Sequence, residues 1–198
     1  FVPFVFEHKF NMEVGDGDRK QLMSGTIDRV DICENDTDVY VRIIDYKTGK
    51  KDFNIVKTYY GIDIQLMVYM EAAMKLVAKM RPGKNVLPAG VFYYNISDPI
   101  VSATNESAEE IEDKIKGELR LKGMVNSDKD IAEKMDNTEG TSLNIPVSRK
   151  ADGGFDSRRS KVMNTEQFNM LGRFVDVRAV DTADRIAGGD IRRSPYKD

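Results

Sequence analysis

An α/β fold, with a mixed central β-sheet flanked by helices in a single domain, is what this sequence predicts, on three observations. Three apolar, β-branched runs fall within the first 47 residues and are separated only by turn chemistry, as in a strand meander. A run of strong helix formers at 62–80 then gives way to another apolar run at 86–96, so helix and strand alternate. At 198 residues the chain is long enough for one sizeable core and too short to predict two, so residues 1–198 are read as one domain.

Residues 4–10, rich in Phe and Val, form the first strand, with Pro3 tolerated at its start. Gly15, Asp16, Gly17 and Asp18 supply positive-φ chemistry for a hairpin loop, so the chain returns as a second strand over 21–33. Alternation there puts Met23, Gly25, Ile27, Arg29 and Asp31 on one face and Thr26, Asp28, Val30 and Ile32 on the other. The turn CENDTD leads into VYVRIIDYKTG, where Val41, Ile43, Asp45 and Lys47 share a side. A flexible basic segment, 50–61, precedes the helix at 62–80, which is apolar nearly all round and ends at Arg81, Pro82 and Gly83. Gln65 and Tyr69, four apart, share one face of that helix.

Beyond the strand at 86–96, a helix at 106–122 has acidic residues first and basic residues last, as the helix dipole prefers. Its charges form a solvated face. Residues 127–136 form a short helix opened by Ser127, and 137–160 are loops around a short strand at Leu143–Val147. A final amphipathic helix at 165–187 turns Phe168, Leu171, Phe174, Val175 and Val180 toward the core.

Composition narrows the functional classes. With 30 basic against 33 acidic residues the chain carries no global nucleic-acid signal, so any DNA contact must come from local clusters. One cysteine, Cys33, excludes an internal disulfide and any multi-cysteine metal site built by this chain alone, which fits a reducing, cytoplasmic setting. No apolar run is long enough for a membrane span, so no membrane partner is expected. The chain opens on Phe1 inside an apolar run, which reads as a fragment of a longer protein.

The chemistry concentrates in residues 25–47. If the meander is in register, Asp28 and Asp45 meet, because facing residues on neighbouring strands have Cβ atoms about 4.5–5.5 Å apart. Two carboxylates can hold Mg²⁺ while leaving water positions open. Lys47 then positions and polarises a nucleophilic water, the arrangement that phosphodiester hydrolysis requires. Alone, D-x-K in a strand describes many surface salt bridges. Here it sits inside a compound pattern of G-x-I-D-x-x-D, then I-I-D-Y-K-T-G, then a Q-x-x-x-Y helix.

That pattern resembles the PD-(D/E)XK nucleases of the RecB-like branch. Within the branch, YYGIDIQLMVYMEAAMK and LNIPVSRKADGGFDSRRSKVMNTEQFNML look like the nuclease domains of B subunits of bacterial AddAB-type (RexAB-type) helicase-nucleases. The resemblance implies a restriction-endonuclease-like fold. It makes Asp28 and Asp45 metal ligands, with the Tyr46 carbonyl as a further ligand. Lys47 becomes the catalytic lysine, and Gln65 with Tyr69 the helix motif facing the site. Glu7, in the strand before G-x-I-D, matches a glutamate that assists the metal site in many relatives. The cofactor implied is Mg²⁺, with Mn²⁺ as the alternative. The name-giving proline is replaced by Ile27, as is usual in the branch. Relatives of this type commonly carry four cysteines for an iron-sulfur cluster, and a chain holding only Cys33 and stopping at SPYKD does not support one.

The implied activity is Mg²⁺-dependent exonucleolytic cleavage of DNA, in single-stranded form, by a helicase-nuclease with a partner subunit, during double-strand break repair and recombination. Lys50, Lys51 and Lys57, and a second cluster of Arg158, Arg159 and Lys161, are the expected DNA-binding residues, acting through phosphates without sequence preference. His8 is read as structural, Cys33 as a packing residue, Asp31 as partner of a surface cation, and Tyr59 and Tyr60 as packing against a helix. Two rival readings stand beside this one: a catalytically idle DNA- or partner-binding module, and a stand-alone exonuclease of the CRISPR-associated kind.

Overall fold

The computed structural model describes residues 1–15, 17, 20–96, 99–101 and 106–193. Asp16 and Asp18 of the expected hairpin loop, and the terminal SPYKD, lie outside the described residues. Strands β1 (Val2–Val14), β2 (Gln21–Glu34) and β3 (Asp38–Lys47) form an antiparallel meander. The β2–β3 turn is closed by Asn35, whose Oδ1 accepts from the backbone N–H groups of Thr37 at 2.9 Å and Asp38 at 2.7 Å. The chain then crosses through α1 (Ile55–Tyr59) and α2 (Gln65–Met80) and returns as β4 (Asn85–Asn95), parallel to β3. A parallel return needs such a crossover. After α3 (Ala108–Leu119), β5 (Lys122–Asn126) runs antiparallel to β4. Then α4 (Lys129–Met135), β6 (Val162–Met163) parallel to β5, and α5 (Thr165–Ala187) complete a mixed six-stranded sheet in the order β1-β2-β3-β4-β5-β6. This is the architecture of a restriction-endonuclease-like fold.

The main core lies between one face of the sheet and α2 with α5, where Ile27, Val30, Val41, Ile43 and Tyr93 pack with Leu66, Met67, Met70, Val77, Phe168 and Val175. Ile44, Phe92, Val125, Ile145 and Val147 form a smaller cluster. Among the described residues no helix is long and apolar enough to cross a membrane.

Several expected elements differ. The basic segment 50–61 is not wholly flexible: Asn54 accepts from the N–H groups of Val56 and Lys57 and nucleates α1. Helix α2 starts at Gln65, and α3 ends at Leu119, because Lys122 already belongs to β5. Asp128, not Ser127, caps α4. Residues 143–147 are not a strand. Ser142 Oγ accepts from the N–H groups of Asn144 and Ile145, both at 3.0 Å, so this backbone is satisfied locally instead of in a ladder. In α5, Phe168, Val175 and Val180 are buried, Leu171 packs at the core's edge, and Phe174 instead stacks on Tyr59 at 5.2 Å. Asp31 is fully buried, not a surface residue, with Arg29 Nε 2.6 Å and Arg42 Nη2 2.5 Å from its carboxylate.

Candidate active site

Asp45 reaches its place because Val41 and Ile43 bury the same pleat face of β3 under α2. The carboxylate is carried to the sheet's C-terminal end, only 1% exposed. The β2–β3 register runs from Glu34↔Val39 to Arg29↔Ile44, so its next pair is Asp28 with Asp45. Asp28 Oδ2 accepts the Tyr46 N–H at 2.8 Å, which fastens this carboxylate to the backbone between Asp45 and Lys47.

Strict alternation breaks at Asp28. Ile27, Val30 and Ile32 all belong to the main core, although 27 differs in parity from 30 and 32. The expected grouping of Ile27 with Arg29 and Asp31 is therefore corrected. Glu7, which falls opposite Asp28 between the pairs Phe6↔Arg29 and His8↔Ile27, has φ 48°. Among the described residues it is the one non-glycine residue with positive φ. Such strain costs on the order of 1–3 kcal/mol and clusters at functional sites. Glu7 is exposed and His8 half-buried.

Lys47 Nζ lies 2.5 Å from Asp45 Oδ2. The contact is not aligned as a hydrogen bond, and Asp45 Oδ2 is a buried oxygen with no hydrogen-bond partner. Lys47 donates instead to Gln65 Oε1 at 3.1 Å, and Gln65 Nε2 donates to Tyr69 Oη at 2.8 Å. Gln65 and Tyr69, one turn apart on α2, thus form a relay that holds the ammonium. Phe10 meets Tyr69 edge to face at 5.8 Å, in space left by Gly25, where a Cβ would lie 2.9 Å from the Phe10 ring. Burial pushes the Asp45 carboxyl above its ordinary range. Lys47 opposes this shift, and the negative Asp28 adds to it.

Sequence reasoning missed a second layer. Tyr93, fully buried and the register partner of Asp45, donates from its hydroxyl to Asp63 Oδ1 at 2.7 Å. Burial and that bond hold the phenol well above its usual range. Lys51 Nζ pairs with Asp63 Oδ2 at 3.1 Å, and the ammonium groups of Lys47 and Lys51 stand 5.6 and 5.4 Å from the Tyr93 ring centroid. The signal was present in GIDIQ, where Asp63 precedes Gln65 by two positions.

Of the expected DNA-binding residues, Lys50, Lys51 and Lys161 line one cleft, which Lys57, Arg158 and Arg159 do not. Lys161 is ion-paired with Asp52, Arg159 with Asp156 at 2.9 Å, and Arg158 is exposed. Cys33 is half-buried beside Tyr40. Tyr59 packs on Phe174 and on Tyr60.

Among the described residues no three His, Cys, Asp or Glu side chains form a metal-holding group. Asp28, Asp45 and the Tyr46 carbonyl nevertheless offer hard oxygen donors of the kind Mg²⁺ accepts when waters complete its shell. The buried, unpartnered Oδ2 of Asp45 is the observation that fits a cation there.

Comparison with known proteins agrees with this geometry. The sequence pattern of the PD-(D/E)XK nuclease superfamily matches residues 1–198. Curated proteins named as the B subunit of an ATP-dependent helicase/deoxyribonuclease are similar over the whole chain. The one from Clostridium kluyveri is 35% identical over 208 residues, which is 18% of its own length. That from Caldanaerobacter subterraneus subsp. tengcongensis is 40% identical over 208 residues, again 18% of its length. The chain thus spans less than a fifth of these relatives.

Proposed function

The chain belongs to the PD-(D/E)XK nuclease superfamily, and from that premise we propose that it is a metal-dependent deoxyribonuclease domain hydrolysing phosphodiester bonds at Asp28, Asp45 and Lys47. One observation carries the reading: Asp45 is buried with an unpartnered oxygen, beside an ammonium that a glutamine and a tyrosine hold in place. Burying a carboxylate in that condition costs several kcal/mol in rough terms, and a site kept that way is explained by a cation it serves.

Asp28, Asp45 and the Tyr46 carbonyl hold Mg²⁺, or Mn²⁺ in its place. When bound, the ion neutralises the non-bridging phosphate oxygens and acidifies a water. Lys47, restrained by Gln65 and Tyr69, orients that water and shields the growing negative charge. Glu7, exposed on the strand opposite Asp28, takes part through a bridging water.

The relatives' printed name supports the wider reading. The domain acts in an ATP-dependent helicase-nuclease with a partner subunit, on single strands delivered by the motor, in double-strand break processing. The test is cleavage of end-labelled single-stranded DNA with Mg²⁺, together with calorimetric titration of Mn²⁺. Asp45→Ala should lose both cleavage and metal affinity. Wild-type cleavage by Asp45→Ala would remove the site assignment, and a wild-type chain that binds DNA without binding metal would leave an idle binding module.

A further inference from the structure

A cleft of about 330 Å³ opens beside the candidate site, lined by Lys50, Lys51, Arg120, Lys122 and Lys161 with Asp52 and Glu118. Five cations face two carboxylates there, in a chain whose net charge is −3. We propose that this cleft is a backbone-phosphate subsite that holds the DNA strand a short distance from the bond being cut, with Lys122 and Arg120 as its floor. The proposal deepens the nuclease reading and rests on it.

The sheet fixes the distance. Asp45 pairs with Tyr93, and Tyr93 pairs with Lys122, so carboxylate, phenol and ammonium belong to one cross-strand row. Two interstrand spacings separate the ends of that row by roughly 10 Å. At about 3.4 Å per nucleotide along a strand, this is roughly two to three nucleotides. Lys51 joins the two regions, since it lines the cleft while its Nζ binds Asp63 above Tyr93. Its position is fixed by Asn95, which accepts the Lys51 N–H and donates to the Lys51 carbonyl, both at 3.1 Å.

The remaining contacts leave positive charge uncompensated. Lys122 Nζ donates to the Gly117 carbonyl at 3.2 Å, and Arg120 Nη1 to the Ser142 carbonyl at 3.2 Å, both neutral acceptors. Arg120 Nε is buried without a hydrogen-bond partner. Burial and the neighbouring Arg120 push the Lys122 ammonium below its ordinary range, the mark of cations gathered closer than their counter-charges allow. An anion threaded along the cleft relieves this, and a polynucleotide offers one at every step.

The experiment is fluorescence anisotropy of a labelled oligothymidylate in EDTA across a salt series, which needs no metal. In the Lys122→Gln/Lys161→Gln double variant, affinity should fall about tenfold. The slope of log K against log salt should flatten by about 1.4, at roughly 0.7 per single-strand phosphate contact. Lys122→Arg/Lys161→Arg should restore the slope, which a merely misfolded variant would not. A double variant with wild-type slope and affinity, or a wild-type chain with no salt-dependent binding, overturns the subsite. Asp45→Ala separates the two readings: retained binding with lost cleavage supports both, whereas cleavage by that variant removes the nuclease site and leaves the slope to decide the cleft.

Discussion

Lys47 Nζ stands 2.5 Å from Asp45 Oδ2 yet gives its hydrogen bond to Gln65 Oε1 at 3.1 Å. One ammonium is thereby shared between a buried carboxylate and an amide. The first prediction follows from that division: Lys47→Met should lower the rate of Mg²⁺-dependent cleavage by roughly 10²-fold or more, as loss of a positioned proton-handling group does. Metal affinity should not fall, because a positive charge has been removed from beside the cation. Single-turnover cleavage and Mn²⁺ calorimetry on the same variant check the two halves.

The relay behind Lys47 predicts a graded series. Tyr69→Phe removes the acceptor of the 2.8 Å bond from Gln65 Nε2 and should slow cleavage about two- to tenfold, the scale of one neutral hydrogen bond. Gly25→Val should be worse, although it lies further from the chemistry. Its Cβ would stand 2.9 Å from the Phe10 ring and drive that ring into Tyr69. Comparing cleavage rates at saturating metal tests the order.

The same particulars explain what was legible in the sequence. Periodicity gave Asp45 and Lys47 one face because β3 is regular up to Lys47, and four-residue spacing gave Gln65 and Tyr69 because α2 is regular from Gln65. Alternation misgrouped Ile27 with Asp31 because the break at Glu7 and Asp28 is a backbone irregularity with no composition signal. Lys122 read as the end of a helix because KIKGELRLK has helical charge order. The chain instead leaves helical geometry at Arg120, φ −55° and ψ 139°, and Lys122 pairs with Tyr93. Asp63 and Tyr93 went unnoticed because a contact between residues 30 apart belongs to the tertiary structure.

Acid should act through Asp136. Burial opposes its ionisation, but hydrogen bonds from Ser142, Thr138 and Asn144 overcome this and hold its pKa at about 2. A free aspartate titrates near 3.9, so the folded pKa is depressed. The resulting stability is present above about pH 4 and lost as pH falls through about 2. Asp136→Asn should cost roughly 2 kcal/mol at pH 7, with the gap to wild type closing below about pH 4. Urea unfolding at several pH values measures it. A gap that does not change with pH would show that the carboxylate's charge contributes nothing.

Two glycines near the basic cleft should respond to the same substitution with opposite signs. A Cβ at Gly123 would lie 2.0 Å from the Val91 carbonyl oxygen and 2.9 Å from Phe92 Cα, both backbone atoms of the paired strand. Neither atom can swing aside, so β5 must separate from β4 and take Lys122 out of its row with Tyr93 and Asp45. Gly123→Ala should therefore cost about 3 kcal/mol or more, in the range reserved for core overpacking. For a domain of this size that lowers the melting temperature by roughly 6–12 °C. Gly117 lies within α3, where a Cβ meets nothing within 4 Å. There Gly117→Ala removes only the entropy cost of glycine in a helix and should stabilise by roughly 0.5–1 kcal/mol. Thermal melts of the two variants side by side test the pair. A harmless Gly123→Ala would mean that β4 and β5 are not as closely packed as the cleft's floor requires.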